Sequence, residues 1–410
     1  QHRAAMFFLL VHGNRLRVTR WDRSGISTES FKYTSERARL RDVLWDFSRL
    51  DAGQQGFDTT AILLTPDSNE YKLMDDLKVD HAGTDLSEAE GTIVTKAQEH
   101  YTFRFAREAF AQSIAKGFPR YRLTVPAGNE ERRFLVGEPT VTVAPGITGR
   151  GTRGFVAWDV AGRRFTFLKD AWRHHLQKVS TEGQALRDLH SAGVENTPTC
   201  VCDAELQDMT KIREALASGS EPSQAGRSRA GSKRKRDEPA VEDFKHEKNV
   251  SKFRHYRIVV EEVCLPLKRF TTGKQLISIM RDCVKAHEGA ATKAKIMHCD
   301  ISNWNILICP RVEPDEKGVL RVKWRGILVD WELSNPIVSE DNAATAPPVV
   351  RAGTFMFSSA HILDNPEQPF RIADELESIF HVTLYNALRH LRHTCKSVES
   401  VMSDYFEKFS

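Results

Sequence analysis

His298, Asp300 and Asn305 stand close together on one stretch, Ile296-Met297-His298-Cys299-Asp300-Ile301-Ser302-Asn303-Trp304-Asn305-Ile306-Leu307-Ile308. Apolar pairs and triplets flank the polar residues, so Ile296-Met297 and Ile306-Leu307-Ile308 read as short buried strands holding a loop at both ends. In such a loop Asp300 can accept a proton from an attacking hydroxyl, and Asn305 can bind a metal that bridges phosphates. A further apolar strand, Gly326-Ile327-Leu328-Val329, delivers Asp330 at its end, where a second ligand to that metal is needed. The chemistry these residues suit is phosphoryl transfer. The competing reading is a polar loop that merely connects strands.

Phosphates also need a cradle. Gly149, Gly151 and Gly154 fit the spacing G-x-G-x-x-G-x-V, a weak signal taken alone. A dinucleotide fold would follow the glycines with a helix. Here Phe155 to Val160, then Ala161-Gly162-Arg163-Arg164, then Phe165 to Lys169 read as strand, tight turn and strand, which places the glycines in a hairpin. Without Cβ atoms such a hairpin can bring backbone N–H groups against phosphates, although an ordinary flexible turn has the same composition. Lys169, read as ending the second strand, would bind α and β phosphates as a point charge. Glu182 shares one helical face with Leu186 and Leu189, and a carboxylate on an inward face needs a cation, for which Lys169 is the natural partner.

Taken together, the H-x-D-x-x-x-x-N loop with its later aspartate is similar to that of protein kinases, and the chain resembles the fungal-type protein kinase family. The strings Lys169-Asp170-Ala171-Trp172-Arg173, Thr181-Glu182-Gly183 and Arg351-Ala352-Gly353-Thr354 carry that resemblance. So do Trp21-Asp22-Arg23-Ser24-Gly25, Leu44-Trp45-Asp46-Phe47 and Gly56-Phe57-Asp58 near the start. It implies an α+β, bilobal protein-kinase-like fold with an N-terminal α/β extension (1–135), a small lobe (136–264) and a C-terminally short large lobe (265–410). It implies ATP and Mg2+ as cofactors and a protein Ser or Thr as acceptor. Asp300 would be the catalytic base, Asn305 and Asp330 the metal ligands, and Lys169 with Glu182 the ion pair of strand three and helix C. Glu261 and Val263 would lie in the hinge that pairs with adenine, Thr354 would bond near Asp300, and Asp374 would be the buried aspartate that fixes the catalytic-loop backbone. A plain N-terminal carboxylate, favoured by the helix dipole, is the other reading of Asp374.

Several positions depart from the kinase pattern. Cys299 replaces the arginine that normally binds a phosphorylated activation loop, so activation by loop phosphorylation is not expected. Ser302 stands where a lysine often steadies the γ-phosphate. Glu332 takes the glycine position of Asp-Phe-Gly, and its loss should restrict the inward and outward flip of that segment. Ser358-Ser359-Ala360 stands in place of Ala-Pro-Glu. Two alternatives follow: a small-molecule kinase of the aminoglycoside or choline kinase type, which also lacks the loop arginine, or a non-catalytic pseudokinase scaffold.

The remaining chain sets the frame. With 410 residues, 40% hydrophobic and 28% charged, there is ample length for two or three packed units. A net charge of +4 is too small to argue for nucleic-acid binding. Seven cysteines without regular spacing suggest a reducing, intracellular setting, and the isolated Cys200 and Cys202 do not make a zinc site. No apolar run is long enough for a membrane span. Residues 215–249 are rich in Ser, Gly, Glu, Pro and basic side chains and read as a disordered insertion. Within it Lys233-Arg234-Lys235-Arg236 is either a nuclear import signal or a solvated charge run; no aromatics interleave, which argues against direct nucleic-acid contact. Strand pairs are expected at Phe7–Val11 with Leu16–Trp21 and at Tyr121–Val125 with Arg133–Val136, and a helix over 36–50.

Overall fold

The computed structural model describes residues 2–115, 117–143, 150–174, 180–208, 253–337, 355–365 and 368–407. The basic insertion, Gly149 and the Arg351–Thr354 segment therefore lie outside the described residues. The architecture is mixed α/β, built around a curled antiparallel sheet, and is compatible with a kinase-like fold.

The chain opens with an antiparallel meander, β1 (Ala5–His12), β2 (Arg15–Asp22) and β3 (Gly25–Lys32), whose first turn uses Gly13 at φ +57°. The expected helix is α1 (Arg37–Arg49), but none of its residues is buried. Its apolar stripe leans on the meander, with the Phe7 and Phe47 rings 5.6 Å apart, rather than on the main core. Next come β4 (Ala61–Leu63), α2 (Asn69–Leu77), α3 (Arg104–Ser113), β5 (Tyr121–Ala127) and β6 (Glu130–Val136). The Ser68 hydroxyl caps α2.

The central sheet adds β7 (Val141–Val143), β8 (Thr152–Asp159), β9 (Arg164–His174), β10 (Cys200–Asp208) and β11 (Phe253–Val260), with α4 (Glu182–Ser191) between β9 and β10. Its eight strands run β10-β11-β9-β8-β6-β5-β4, with β7 paired to β8. β5 also approaches β10, so the sheet curls on itself around Leu123, Phe134, Phe155, Leu168 and Val259. The sheet is continuous across residues 135 and 136, since Phe134 and Leu135 of β6 pair with Asp159 and Trp158 of β8.

After it in the chain come β12 (Leu265–Pro266), α5 (Gly273–Gly289), β13 (Ile296–Met297), β14 (Ile306–Pro314), β15 (Leu320–Leu328), β16 (Asn335–Pro336), α6 (Ala360–Asp364), α7 (Ile372–His390) and α8 (Val398–Met402). A Thr272/Gln275 capping box starts α5. A π-helical turn, Ala290–Ala294, continues α5 and is stopped by Lys295 at φ +58°. Helix α5 crosses β15 at Gly326, where an added Cβ would run into the Ile279 carbonyl. The N-terminal region also reaches β15. β15 has one free edge in its own sheet, and buried backbone groups need partners. Residues 91–94 supply them, through Gly91 N–H to the Val322 carbonyl (2.8 Å) and Val94 N–H to the Leu320 carbonyl (2.9 Å).

Candidate active site

The loop between β13 and β14 is held as its apolar flanks require, with β13 paired to β16 and β14 to β15. His298 is fully buried. Its Nε2 lies 2.9 Å from the Val329 carbonyl, and its Nδ1 accepts the Asp300 N–H at 3.2 Å. One neutral tautomer satisfies both bonds. Burial accordingly lowers the His298 pKa. The imidazole thus ties the loop to the strand that delivers Asp330.

Asn305 donates its Nδ2 to the Asp300 carbonyl (2.7 Å) and to Asp300 Oδ2 (3.1 Å). Its backbone carbonyl accepts the Val329 N–H at 2.9 Å. Two bonds thus fix the amide, and its oxygen faces the remaining role of acceptor or ligand. Asp330 itself adopts φ +62°, a left-handed conformation tolerated by aspartate better than by most residues. Left-handed backbone thus falls on Asp330, while Glu332 sits in a 3-10 turn, Trp331–Leu333.

Lys169 reaches this point from the sheet. It lies in the middle of β9, not at the end of a strand as its sequence context suggested, because the strand runs on to His174. Its ammonium meets Asp330 at 2.6 Å, Glu182 at 2.9 Å and Glu332 at 3.2 Å. Burial alone would lower its pKa, but the three carboxylates raise it well above the ordinary lysine value. Glu182 occupies the first turn of α4 behind the Thr181 N-cap, buried with Leu186 and Leu189 as the spacing required. Burial, with Asp330 and Glu332 nearby, pushes its carboxyl up to about 7 against the pull of Lys169. Asp330 is only half-buried; burial would raise its carboxyl, yet Lys169 and Arg150 hold it below the usual range.

Two residues here were given no place in the site by the sequence: Arg150, and Glu332, which was noted only for displacing a glycine. Glu332 is 6% exposed and pairs with both Lys169 and Arg150. Arg150, between two of the glycines, also stands 3.8 Å from Asp330. Carboxylate oxygens of Glu182, Asp330 and Glu332 lie within 4.8 Å of one another, with the Lys169 ammonium in contact with all three.

The glycines part company. Gly149 lies outside the described residues. Gly151, at φ +48°, leaves no room for a Cβ beside the Arg23 guanidinium. Gly154 is not in a turn at all: it lies within β8, opposite Lys169 in register, and is covered by the Phe167 ring. The tight turn expected at Ala161–Arg164 does join β8 to β9, and Gly151 lies before β8 rather than in that turn. Glu261 donates its N–H to the Thr199 carbonyl (3.0 Å) and binds Arg164 at 2.5 Å, and Val263 packs on the cluster of Val156 and Phe165.

Asp374 does not fix the catalytic loop. It accepts the Arg371 N–H (2.8 Å) and the Ser359 hydroxyl (2.8 Å) at the start of α7. Its neighbour Glu375, 2% exposed, accepts the backbone N–H groups of His298 (3.3 Å) and Cys299, and contacts His287 Nε2 at 2.7 Å. A one-residue step along a helix turns a side chain by about 100 degrees, so only one of two adjacent carboxylates can face the loop.

All seven cysteines are free thiols, and no described helix is long and apolar enough to cross a membrane. No curated protein matches the chain. The model of the family described as fungal protein kinase matches residues 2–387 of the 410, nearly the whole length, and the chain belongs to that family.

Proposed function

We propose that this fungal protein kinase family member is an ATP- and Mg2+-dependent enzyme with two lobes, divided near residue 264, that transfers the γ-phosphate to a protein Ser or Thr hydroxyl. The observation that carries the reading is the Lys169–Glu182 pair meeting Asp330, whose neighbour Val329 is bonded to the loop of Asp300 and Asn305, so that four separate places in the chain come together. Asp300 positions and deprotonates the acceptor hydroxyl. Lys169 binds the α and β phosphates, and Glu182 holds Lys169 in place. Backbone around Gly151 covers the phosphates, and the 261–263 segment lies against the adenine.

The donor set fits a hard divalent cation. Asn305 has spent its N–H2 on Asp300, which leaves a neutral amide oxygen, and Asp330 is held ionised by Lys169 and Arg150. Asn305 and Asp330 would hold the ion, which would supply positive charge to offset that of the phosphates.

Calorimetric titration of ATP with and without magnesium, on the intact chain and on Asp330→Ala, tests this reading. Magnesium-dependent binding that the substitution abolishes is expected, whereas Asp300→Ala keeps binding and loses transfer. Transfer retained by Asp300→Ala would defeat the role given to Asp300. A second reading, a non-catalytic scaffold, is favoured by the Arg150–Glu332 pair spanning the site; a folded chain that binds no nucleotide would establish it. Cys299 in place of the loop arginine keeps a small-molecule acceptor open, and parallel screens of peptide and aminoalcohol or aminoglycoside acceptors separate the two. We also propose that Lys233–Arg236 serves nuclear import, tested by the distribution of the chain with those four residues replaced by alanine.

A further inference from the structure

We propose that Arg150 reads the terminal phosphate of a bound nucleoside triphosphate and supplies the cation that the catalytic loop lacks. The inference rests on the nucleotide site proposed above. Two positions after Asp300 stands Ser302, 1% exposed, whose carbonyl accepts the Asn305 N–H at 3.1 Å. That side chain brings no positive charge to Asp300. The charge must come from elsewhere.

Lys169 is already in contact with three carboxylates and enters from the sheet side. Arg150 comes instead from the connection before β8, next to Gly151. Its backbone is anchored, since its carbonyl accepts the Trp172 N–H of β9 at 2.7 Å. Its guanidinium crosses the site to Glu332 and to within 3.8 Å of Asp330. It remains 27% exposed, so a ligand can reach it. Asp300, too, is near enough to help keep it charged, together with Glu332 and Asp330.

Glu332 explains the resting position. It occupies the place where kinases have a glycine, and its carboxylate receives the guanidinium when no phosphate is present. A terminal phosphate beside Asp330 carries more charge and more acceptor oxygens than one carboxylate, and a planar guanidinium matches its geometry. Arg150 then turns from Glu332 to the phosphate. A diphosphate ends one group short and leaves Arg150 where it is. Arg150 and Glu332 together therefore distinguish a triphosphate from a diphosphate.

The test is calorimetric titration of ATP and of ADP, each with magnesium, on the wild-type chain, Arg150→Ala, Arg150→Lys and Glu332→Gln. Arg150→Ala is expected to lose about tenfold in ATP affinity, the size of one charge-assisted hydrogen bond, with ADP affinity changed less than about twofold. Arg150→Lys recovers part of the loss, having the charge without the fork. Glu332→Gln removes the competing carboxylate and tightens ATP more than ADP. Equal losses for both nucleotides in Arg150→Ala, or an ATP-to-ADP ratio unmoved in Glu332→Gln, overturn the proposal and leave the nucleotide site standing. A wild-type chain that binds neither nucleotide overturns both.

Discussion

The Glu375 carboxylate accepts the backbone N–H of Cys299, a residue 76 positions earlier and at φ +63°. A non-glycine residue in the left-handed region costs roughly 1–2 kcal/mol, so the conformation needs a partner that rewards it. Glu375 provides one, and the same carboxylate meets His287 at 2.7 Å. The chain direction of the loop between β13 and β14 is set at this point.

Glu375→Gln puts an N–H2 group against donors that now face an oxygen. It is expected to cost about 2 kcal/mol, near the cost of an unsatisfied buried group. Asp374→Asn, next to it, disturbs only the start of α7 and costs about 1 kcal/mol. Urea denaturation of both variants checks the order. A larger loss for Asp374→Asn would return the loop-fixing role to that residue.

The Glu182 carboxyl, pushed up to about 7, sets a pH dependence. An acid raised above its unfolded value binds more protons in the folded chain between the ordinary glutamate range and about 7. Its share of the stability therefore declines as pH rises through that window. Relative to Glu182→Gln, the wild-type chain should lose stability between about pH 5 and about pH 8. A difference that is flat or grows with pH would mean that Lys169 holds Glu182 ionised throughout.

Asp170, the residue after Lys169, serves the opposite face of β9. It is 1% exposed and takes His255 Nε2 at 2.5 Å, Arg257 Nε at 3.1 Å and the Arg153 guanidinium, while Arg257 also binds Asp58. Burial would raise its carboxyl, but Arg257 and His255 hold it well below the usual range. Asp170→Ala leaves buried Arg257 short of a partner and is expected to cost about 3–5 kcal/mol. Thermal unfolding reads the loss, and a change under about 1 kcal/mol would show that Asp58 suffices.

Gly154→Ala separates packing from phosphate binding. The new Cβ would lie 2.5 Å from Phe167 Cζ and 3.3 Å from Val141 Cβ. Overpacking of this kind costs about 1–3 kcal/mol, part of it relieved if the ring shifts. Stability should fall while nucleotide affinity of the folded chain holds. Lost affinity at unchanged stability would put Gly154 beside the phosphates.

Much of this was legible in the chain. Polar residues between two apolar runs, such as Asp300 and Asn305, have to sit on a loop anchored by core, whatever the fold. A carboxylate in register with Leu186 and Leu189 has to point inward, and the buried Glu182 does. The meander β1–β2, the pair β5–β6 and helix α1 likewise follow from local alternation or helical spacing. What local pattern cannot carry is a choice between neighbours or a meeting across the chain. Asp374 and Glu375 are chemically alike, and only the rotation of α7 against the loop decided which one holds Cys299. Whether Gly154 serves a turn or a packed strand depended on Phe167 closing over it. Arg150 and Glu332 are 182 residues apart, and no spacing rule connects them. Charge type and local periodicity are written residue by residue; which charges share one site is a property of the packed fold alone.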